Sequence, residues 1–252
     1  MLYRKVMAGN FRRKLLAYAT EVMGLVHEDE TLEDLQLNGL KIIQKQKGFR
    51  FGTDAVVLSD FIKETGASVL DMCTGTGVIA ILLAEKTNAH QIYALELQPE
   101  IADMAKRSVI LNSLEDKIKI KQGDIKESVN LYGKRSMDCV TVNPPYKVNG
   151  TGLQNLTETQ TISRHEVCCT LEDVIEQASL VLCAKGYFYM VHRPERLVDI
   201  LEMMRKYRIE PGILQFVHCS PYKKPVLVLI RGTNLGGRNL TITEPLYLQQ
   251  FD

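Results

Sequence analysis

The chain has 252 residues, 45% hydrophobic and 24% charged, with a formal net charge of +1. That size holds one large domain, or one domain with appendages, and the composition is ordinary for a soluble protein with a full core. No apolar run reaches the roughly 18 residues of a membrane span, and the near-neutral charge names no partner. Six cysteines without a Cys-x-x-Cys pair read as buried free thiols in a reducing, cytoplasmic setting rather than as zinc ligands.

The charge is unevenly spread. Residues 1–26 carry Arg4, Lys5, Arg12, Arg13 and Lys14 against Glu21, and residues 203–240 carry seven basic side chains against Glu210. Such asymmetry permits a phosphate-rich partner at one face, while ordinary solvated charge remains the competing reading of either cluster. In the first stretch Phe11, Leu15, Leu16, Ala19, Val22 and Met23 fall on one helical stripe. It lacks the apolar core of a secretory signal. Residues 1–26 are read as a basic extension, either an amphipathic helix or a stretch preceding the working start at Met23, and residues 27–252 as the domain.

Residues 31–43 predict a hairpin, with Leu35–Leu37 alternating, Asn38-Gly39 as a two-residue turn, and Leu40–Ile43 returning. Lys45, Lys47 and Arg50 then bracket Gly48-Phe49. Ala55–Leu58 with Phe61 and Ile62 has helical spacing, and Thr53 or Asp54 can cap that helix or face a pocket at its N-terminus. The run Ala67–Ala84 reads as strand, glycine turn and apolar helix. Its Gly75 and Gly77 allow the backbone to approach a ligand closely. A lone Gly-x-Gly is weak, and the strand-to-helix context raises it.

The next strand, Gln91–Glu96, ends in an acid 21 positions after Gly75, where a carboxylate can accept from both ribose hydroxyls. Pro99 opens a helix over 99–111. Ile118–Ile120 is a third strand, leading to Asp124, a candidate acceptor for an adenine amino group. The strand Met137–Val142 runs into Asn143-Pro144-Pro145-Tyr146. Two prolines have no N–H for a sheet ladder, so the strand stops there. The turn then presents an amide, two carbonyls and an aromatic ring at the carboxyl edge of the sheet, a set suited to a flat, amino-bearing group. Polar residues 147–164 read as a substrate lid. A helix over 171–182 closed by Gly186, a strand 187–191, a helix 197–207, and strands 213–218 and 226–231 follow. This alternation predicts an α/β fold with a mostly parallel sheet.

Asp71 with Gly75 and Gly77, Glu96, Asp124 and the Asn143–Tyr146 turn, in that order, resemble the class I S-adenosylmethionine-dependent methyltransferases, in their amino-group branch. The likeness covers about residues 30–250. It implies a Rossmann-like fold with a seven-stranded sheet, helices on both faces and an antiparallel last strand. Gly48–Ala55 and Ser163–Glu166 are similar to bacterial tRNA (adenine-N6)-methyltransferases, which modify adenine 37 beside the anticodon of a valine tRNA. In one departure, Cys73 stands where the glycine motif usually has its first glycine.

The resemblance implies that Glu96 binds the cofactor ribose, that Asp124 and the Ile125 amide read its adenine, with Leu97 beside them, and that Thr74, Gly75 and Gly77 approach the methionine part near Thr53. Asp71 orders the loop or faces the methionine ammonium. Asn143, which the resemblance also counts among the cofactor contacts, and the Pro144 carbonyl would accept the two N–H bonds of the target amine, with Tyr146 stacked on its ring and Pro145 stiffening the turn. Lys45, Lys47, Arg50, His165, Lys223 and Lys224 are the candidate RNA contacts. The implied cofactor is S-adenosylmethionine without a metal; the implied partner is tRNA, with no membrane and no obligate protein partner. Three rival readings stand beside this one: methylation of a protein glutamine amide of release-factor type, methylation of DNA adenine, and a non-catalytic RNA-binding scaffold.

Overall fold

The computed structural model describes residues 24–47, 50–145 and 169–248. Tyr146, His165, the basic stretch before residue 24 and the predicted lid lie outside the described residues.

The chain enters the domain at Leu25 and Val26, which pack against Ile43, Ile101 and Met104. A hairpin follows, β1 (Glu30–Asp34) antiparallel to β2 (Lys41–Lys45). Asn38 and Gly39 take φ of 47° and 77°, and the Leu40 amide donates to the Leu37 carbonyl at 2.9 Å, so the two-residue turn is where expected. The first strand, however, pairs from Glu30 and not over Leu35–Leu37. The Asp34 side chain accepts from the Gln36 amide at 2.6 Å, and Gln36 has φ 53°, which bends the chain out of the ladder.

The main sheet follows the order β8-β9-β7-β6-β3-β4-β5, with two further two-residue strands beside β8. Its strands are β3 (Ser68–Met72), β4 (Gln91–Glu96), β5 (Ile118–Gln122), β6 (Met137–Val142), β7 (Leu182–His192), β8 (Ile209–His218) and β9 (Pro225–Asn234). All pair in parallel except β9, which runs antiparallel to both β7 and β8. These are the seven expected strands with the antiparallel last one. The additions, β10 (Thr241–Ile242) and β11 (Leu246–Tyr247), are too short to carry a periodicity.

Because both faces of the sheet are covered, its strands read as continuous apolar runs and their residues divide alternately between two cores. Along β7, Tyr189 and Val191 pack with α1 (Thr53–Phe61) and α2 (Val78–Lys86) on one face. Phe188 and Met190 pack on the other face with α5 (Leu171–Val181) and α6 (Leu197–Lys206). Helix α3 (Pro99–Leu111) joins the first face through Val109, and the short α4 (Ser128–Tyr132) borders the second. The hairpin is held to α3 by the Ser108 hydroxyl, which accepts from the Ile43 amide at 3.0 Å. Arg107 adds a fork on Glu30, at 2.6 and 2.8 Å.

Two local expectations are corrected. Gly52, not Thr53 or Asp54, is the N-cap of α1, and Asp54 accepts from the adjacent Ala55 amide at 2.9 Å. Gly186 does not end the preceding helix. It lies inside β7, where an added Cβ would meet the Asp138 carbonyl at 2.9 Å and the Cys183 carbonyl at 3.0 Å, so the close backbone approach requires glycine.

Candidate active site

In an open α/β sheet the ligand crevice lies beyond the carboxyl ends of the strands, where the chain turns into its helices. Strands β3, β4, β5 and β6 end side by side, and a cleft at those ends is lined by Cys73, Leu95, Glu96, Leu97, Asp124, Ile125, Pro145 and Cys169. Four of the expected cofactor contacts and one proline of the Asn-Pro-Pro turn therefore meet in one place.

The loop from β3 to α2 is built around two acids. Asp71 is fully buried, and its Oδ2 accepts from the Thr74 hydroxyl at 2.5 Å. Burial pushes its carboxyl up to about 7; the Thr74 hydroxyl and the nearby Ala80 amide act the other way, and the charge of Glu96 adds to the rise. Its Oδ1 has no hydrogen-bond partner among the described residues, and neither have the hydroxyls of Thr76 and Thr141. Thr141 is the register partner of Asp71 on β6, so a carboxylate oxygen and hydroxyls without partners gather at the end of β3. A buried polar group without a partner costs about 1–3 kcal/mol, which suits a site whose ligand brings a donor. The acid chemistry fits the cationic methionine part of S-adenosylmethionine.

Glu96 at the end of β4 is the second acid. Its Oε2 accepts from the Gly75 amide and its Oε1 from the Gln98 amide, both at 3.0 Å. Oε1 also takes a long contact from the Gln98 side-chain amide at 3.5 Å, a weak bond that a ribose hydroxyl can displace, while Oε2 keeps a second lone pair for another. Gly77 holds φ 90° as the N-cap of α2, and its Cα faces the Ala105 side chain closely enough that a Cβ there would stand at 3.4 Å. Cys73 holds φ 56°. The motif position filled here by cysteine is thus one where the backbone is left-handed, which explains glycine's usual use and leaves the thiol on a strained residue.

Asp124 caps a 3-10 turn, accepting from the Lys126 amide at 2.9 Å, while remaining on the cleft wall beside Ile125. Asn143 and Pro144 follow β6 directly, as expected, and Pro144 is buried. Tyr146 falls outside the described residues. Thr53 opens α1 and is not among the residues lining this cleft.

The basic candidates divide. Lys45 pairs with Asp29 at 2.6 Å, and Arg50 pairs with Glu33. Their charges are met within the chain by partly exposed carboxylates. Lys47, Lys223 and Lys224 are exposed. His27, Asp29 and Glu30 offer ligand atoms within 4.8 Å of one another, but the two carboxylates already hold Lys45 and Arg107.

Sequence reasoning missed Cys169. It lines the cleft opposite Cys73, close enough for the two thiols to interact; that contact, then burial, raises the Cys73 thiol. Nothing in the local sequence marks Cys169, since 96 positions of chain separate it from its partner. The position of Cys73 in the glycine motif was the only available signal. Among the described residues, no helix is long and apolar enough to cross a membrane.

Residues 57–169 match the family model described as the TRM5/TYW2 methyltransferase domain. The chain is 31% identical over 187 residues to the tRNA1(Val) (adenine(37)-N6)-methyltransferase of Porphyromonas gingivalis, covering 71% of this chain and 72% of that protein. Among solved structures it resembles a predicted O-methyltransferase of Agrobacterium tumefaciens, with TM-score 0.62, 19% identity, and 77% and 87% of the two chains covered. It also resembles M. jannaschii TYW2 in complex with AdoMet, with TM-score 0.54, 16% identity, and 82% and 86% covered. At these identities the two structures speak for the fold, the Rossmann-like fold of S-adenosylmethionine-dependent methyltransferases.

Proposed function

Since the chain belongs to the family of tRNA1(Val) (adenine(37)-N6)-methyltransferases, we propose that it methylates the exocyclic N6 amine of adenine 37 in a valine tRNA, with S-adenosylmethionine as donor. The observation that carries this reading is the meeting of Glu96, Asp124 and Pro145 in one cleft at the carboxyl ends of β4, β5 and β6. A cofactor-shaped acid pair and the turn that would receive an amine share one wall.

Glu96 would hold the ribose, Asp124 and the Ile125 amide the adenine, and Asp71 the ammonium end of the methionine. When bound, the cofactor supplies a methyl group on a sulfonium, which needs little activation. The chain's own task is positioning. An exocyclic amine is a poor nucleophile because its lone pair delocalises into the ring. Acceptance of its two N–H bonds by the Asn143 side-chain oxygen and the Pro144 carbonyl localises that pair. Holding the amine in line at about 3–3.5 Å then contributes much of the rate. No strong base is needed, because the proton becomes acidic once the methyl has transferred. The target base must leave its stack, and a loop adenine does so at low cost. Tyr146 is proposed to stack on the extruded ring. This reading places the enzyme in the cytoplasm with its tRNA and requires neither a metal nor an obligate protein partner.

The test is transfer of labelled methyl to RNA from cells lacking this gene, and separately to a protein extract. Label recovered as N6-methyladenosine in RNA, lost in Asn143→Ala with cofactor binding kept, is the expected result. Label at protein glutamine would overturn the reading.

A further inference from the structure

We propose that the turn Ser220–Lys224 is an RNA-docking element, in which Tyr222 stacks on an unpaired base of the substrate while Lys223 and Lys224 hold the adjoining phosphates. The inference rests on the reading of tRNA as substrate and adds a contact well outside the cofactor cleft.

Tyr222 is 98% exposed, whereas the other exposed large apolar side chains among the described residues reach 75% at most and include no aromatic ring. The ring is presented on a stiff support. The Lys223 amide donates to the Ser220 carbonyl at 3.2 Å, closing a turn whose second residue, Pro221, presets its φ. His218 Nδ1 lies 2.7 Å from the Lys223 carbonyl, and the His218 ring packs on Tyr247 with centroids 5.7 Å apart. A ring on such a turn loses little freedom on binding.

Its place in the sheet supplies the second observation. β9 is antiparallel to both β7 and β8, so β8 runs parallel to β6, and the turn after β8 lies at the same sheet edge as Asn143 after β6. The order β6-β7-β9-β8 separates them by three strand spacings, roughly 14 Å. Arg193 follows β7 between them, exposed, with its Nη1 donating to the Val226 carbonyl at 3.3 Å at the start of β9. Between Pro211 and Thr243 the sequence has no acid. Arg231 in that span is met by Glu64 at 3.3 Å. Lys223 and Lys224 thus stand in an acid-free segment beside an exposed ring. Single-stranded RNA offers that combination of charged backbone and open base faces, and recognition of loop bases runs through such stacking.

The experiment measures binding of unmethylated tRNA, from cells lacking this gene, to the full chain at several salt concentrations, with cofactor affinity by calorimetry and methyl-transfer kinetics alongside. Tyr222→Ala is expected to weaken RNA binding and raise KM for RNA roughly 5- to 150-fold. Cofactor affinity and kcat at saturating RNA stay unchanged, and Tyr222→Phe restores binding. The Lys223→Ala, Lys224→Ala double variant is expected to lower the slope of log affinity against log salt by about 1.5–2. Wild-type RNA affinity in Tyr222→Ala, with the parent enzyme methylating RNA, would overturn the docking proposal alone. A parent chain that binds cofactor yet neither binds nor methylates RNA, or that labels protein instead, would overturn the tRNA reading and this inference together.

Discussion

The backbone amide of Gly75 donates to the carboxylate of Glu96 at 3.0 Å, joining the loop after β3 to the end of β4 beside the candidate cleft. The other oxygen of the same carboxylate takes the Gln98 amide, also at 3.0 Å. Glu96 is therefore both a candidate ribose acceptor and the strut that sets the glycine turn.

This double role predicts that Glu96→Ala lowers cofactor affinity and stability together. The buried Gly75 amide loses its acceptor, at a cost of about 1–3 kcal/mol, and the half-buried Gln98 amide loses its own at a smaller cost, since water can restore it. Calorimetric titration and urea unfolding of the same variant measure the two losses. Full stability with reduced affinity would leave Glu96 as a ligand contact only.

Asp71 gives a pH prediction. Its carboxyl titrates at about 7 in the folded chain against an ordinary 3.8, chiefly through burial. Between those values the folded state holds a proton that the unfolded state has released. Folding stability therefore declines as the pH rises from about 3.8 through about 7 and is not regained above it. Asp71→Asn is expected to flatten that decline. If the ionised form faces the methionine ammonium, cofactor affinity rises as the pH passes about 7 and Asp71→Asn abolishes the rise. Isothermal titrations at pH 6 and pH 8 decide this.

The left-handed backbone at Cys73, φ 56°, predicts that Cys73→Gly stabilises the protein. Relief of the Cβ clash is about 1–2 kcal/mol, partly offset by the greater unfolded-state freedom of glycine, for a net gain of about 0.5–1 kcal/mol. Cys73→Val, β-branched at the same φ, is expected to destabilise. Thermal unfolding of the pair checks the sign, and two destabilised variants would argue that the thiol's contact with Cys169 outweighs the strain.

Arg107 and Glu30 tie the hairpin to α3. Burial opposes the charge on Glu30, yet the Arg107 fork and the His27 amide outweigh it and hold the carboxyl at about 2, below its ordinary 4.5. The stabilisation is present above about pH 4.5 and is lost as the pH falls toward about 2. Glu30→Gln leaves Arg107, 11% exposed, with only the exposed Asp103 at 2.7 Å as charge partner, and is expected to cost about 1–2 kcal/mol, less than breaking a fully buried pair. Urea unfolding at pH 7 and pH 3 measures it, the variant's deficit shrinking at the lower pH.

The sequence by itself determined the elements whose signals are local. Asn38-Gly39 required its turn, Pro99 opened α3, and the prolines after Asn143 ended β6 at the residue expected. The strand-helix alternation declared a mostly parallel α/β sheet, and the acids and glycines at the ends of its strands marked the candidate site. Tertiary structure alone decided what each charge and thiol meets. Lys45, Arg50 and Lys223 look alike in sequence, but folding brings Asp29 and Glu33 to the first two and leaves the third in an acid-free turn. Cys169 reaches the cleft because α5, which follows it, packs on the same face of the sheet as Cys73. Gly186 reads as a terminator until the carbonyls of Asp138 and Cys183 are seen against its Cα. Periodicity and turn chemistry act over a few residues, whereas charge pairing, thiol contact and close backbone approach depend on segments that only the packed sheet brings together.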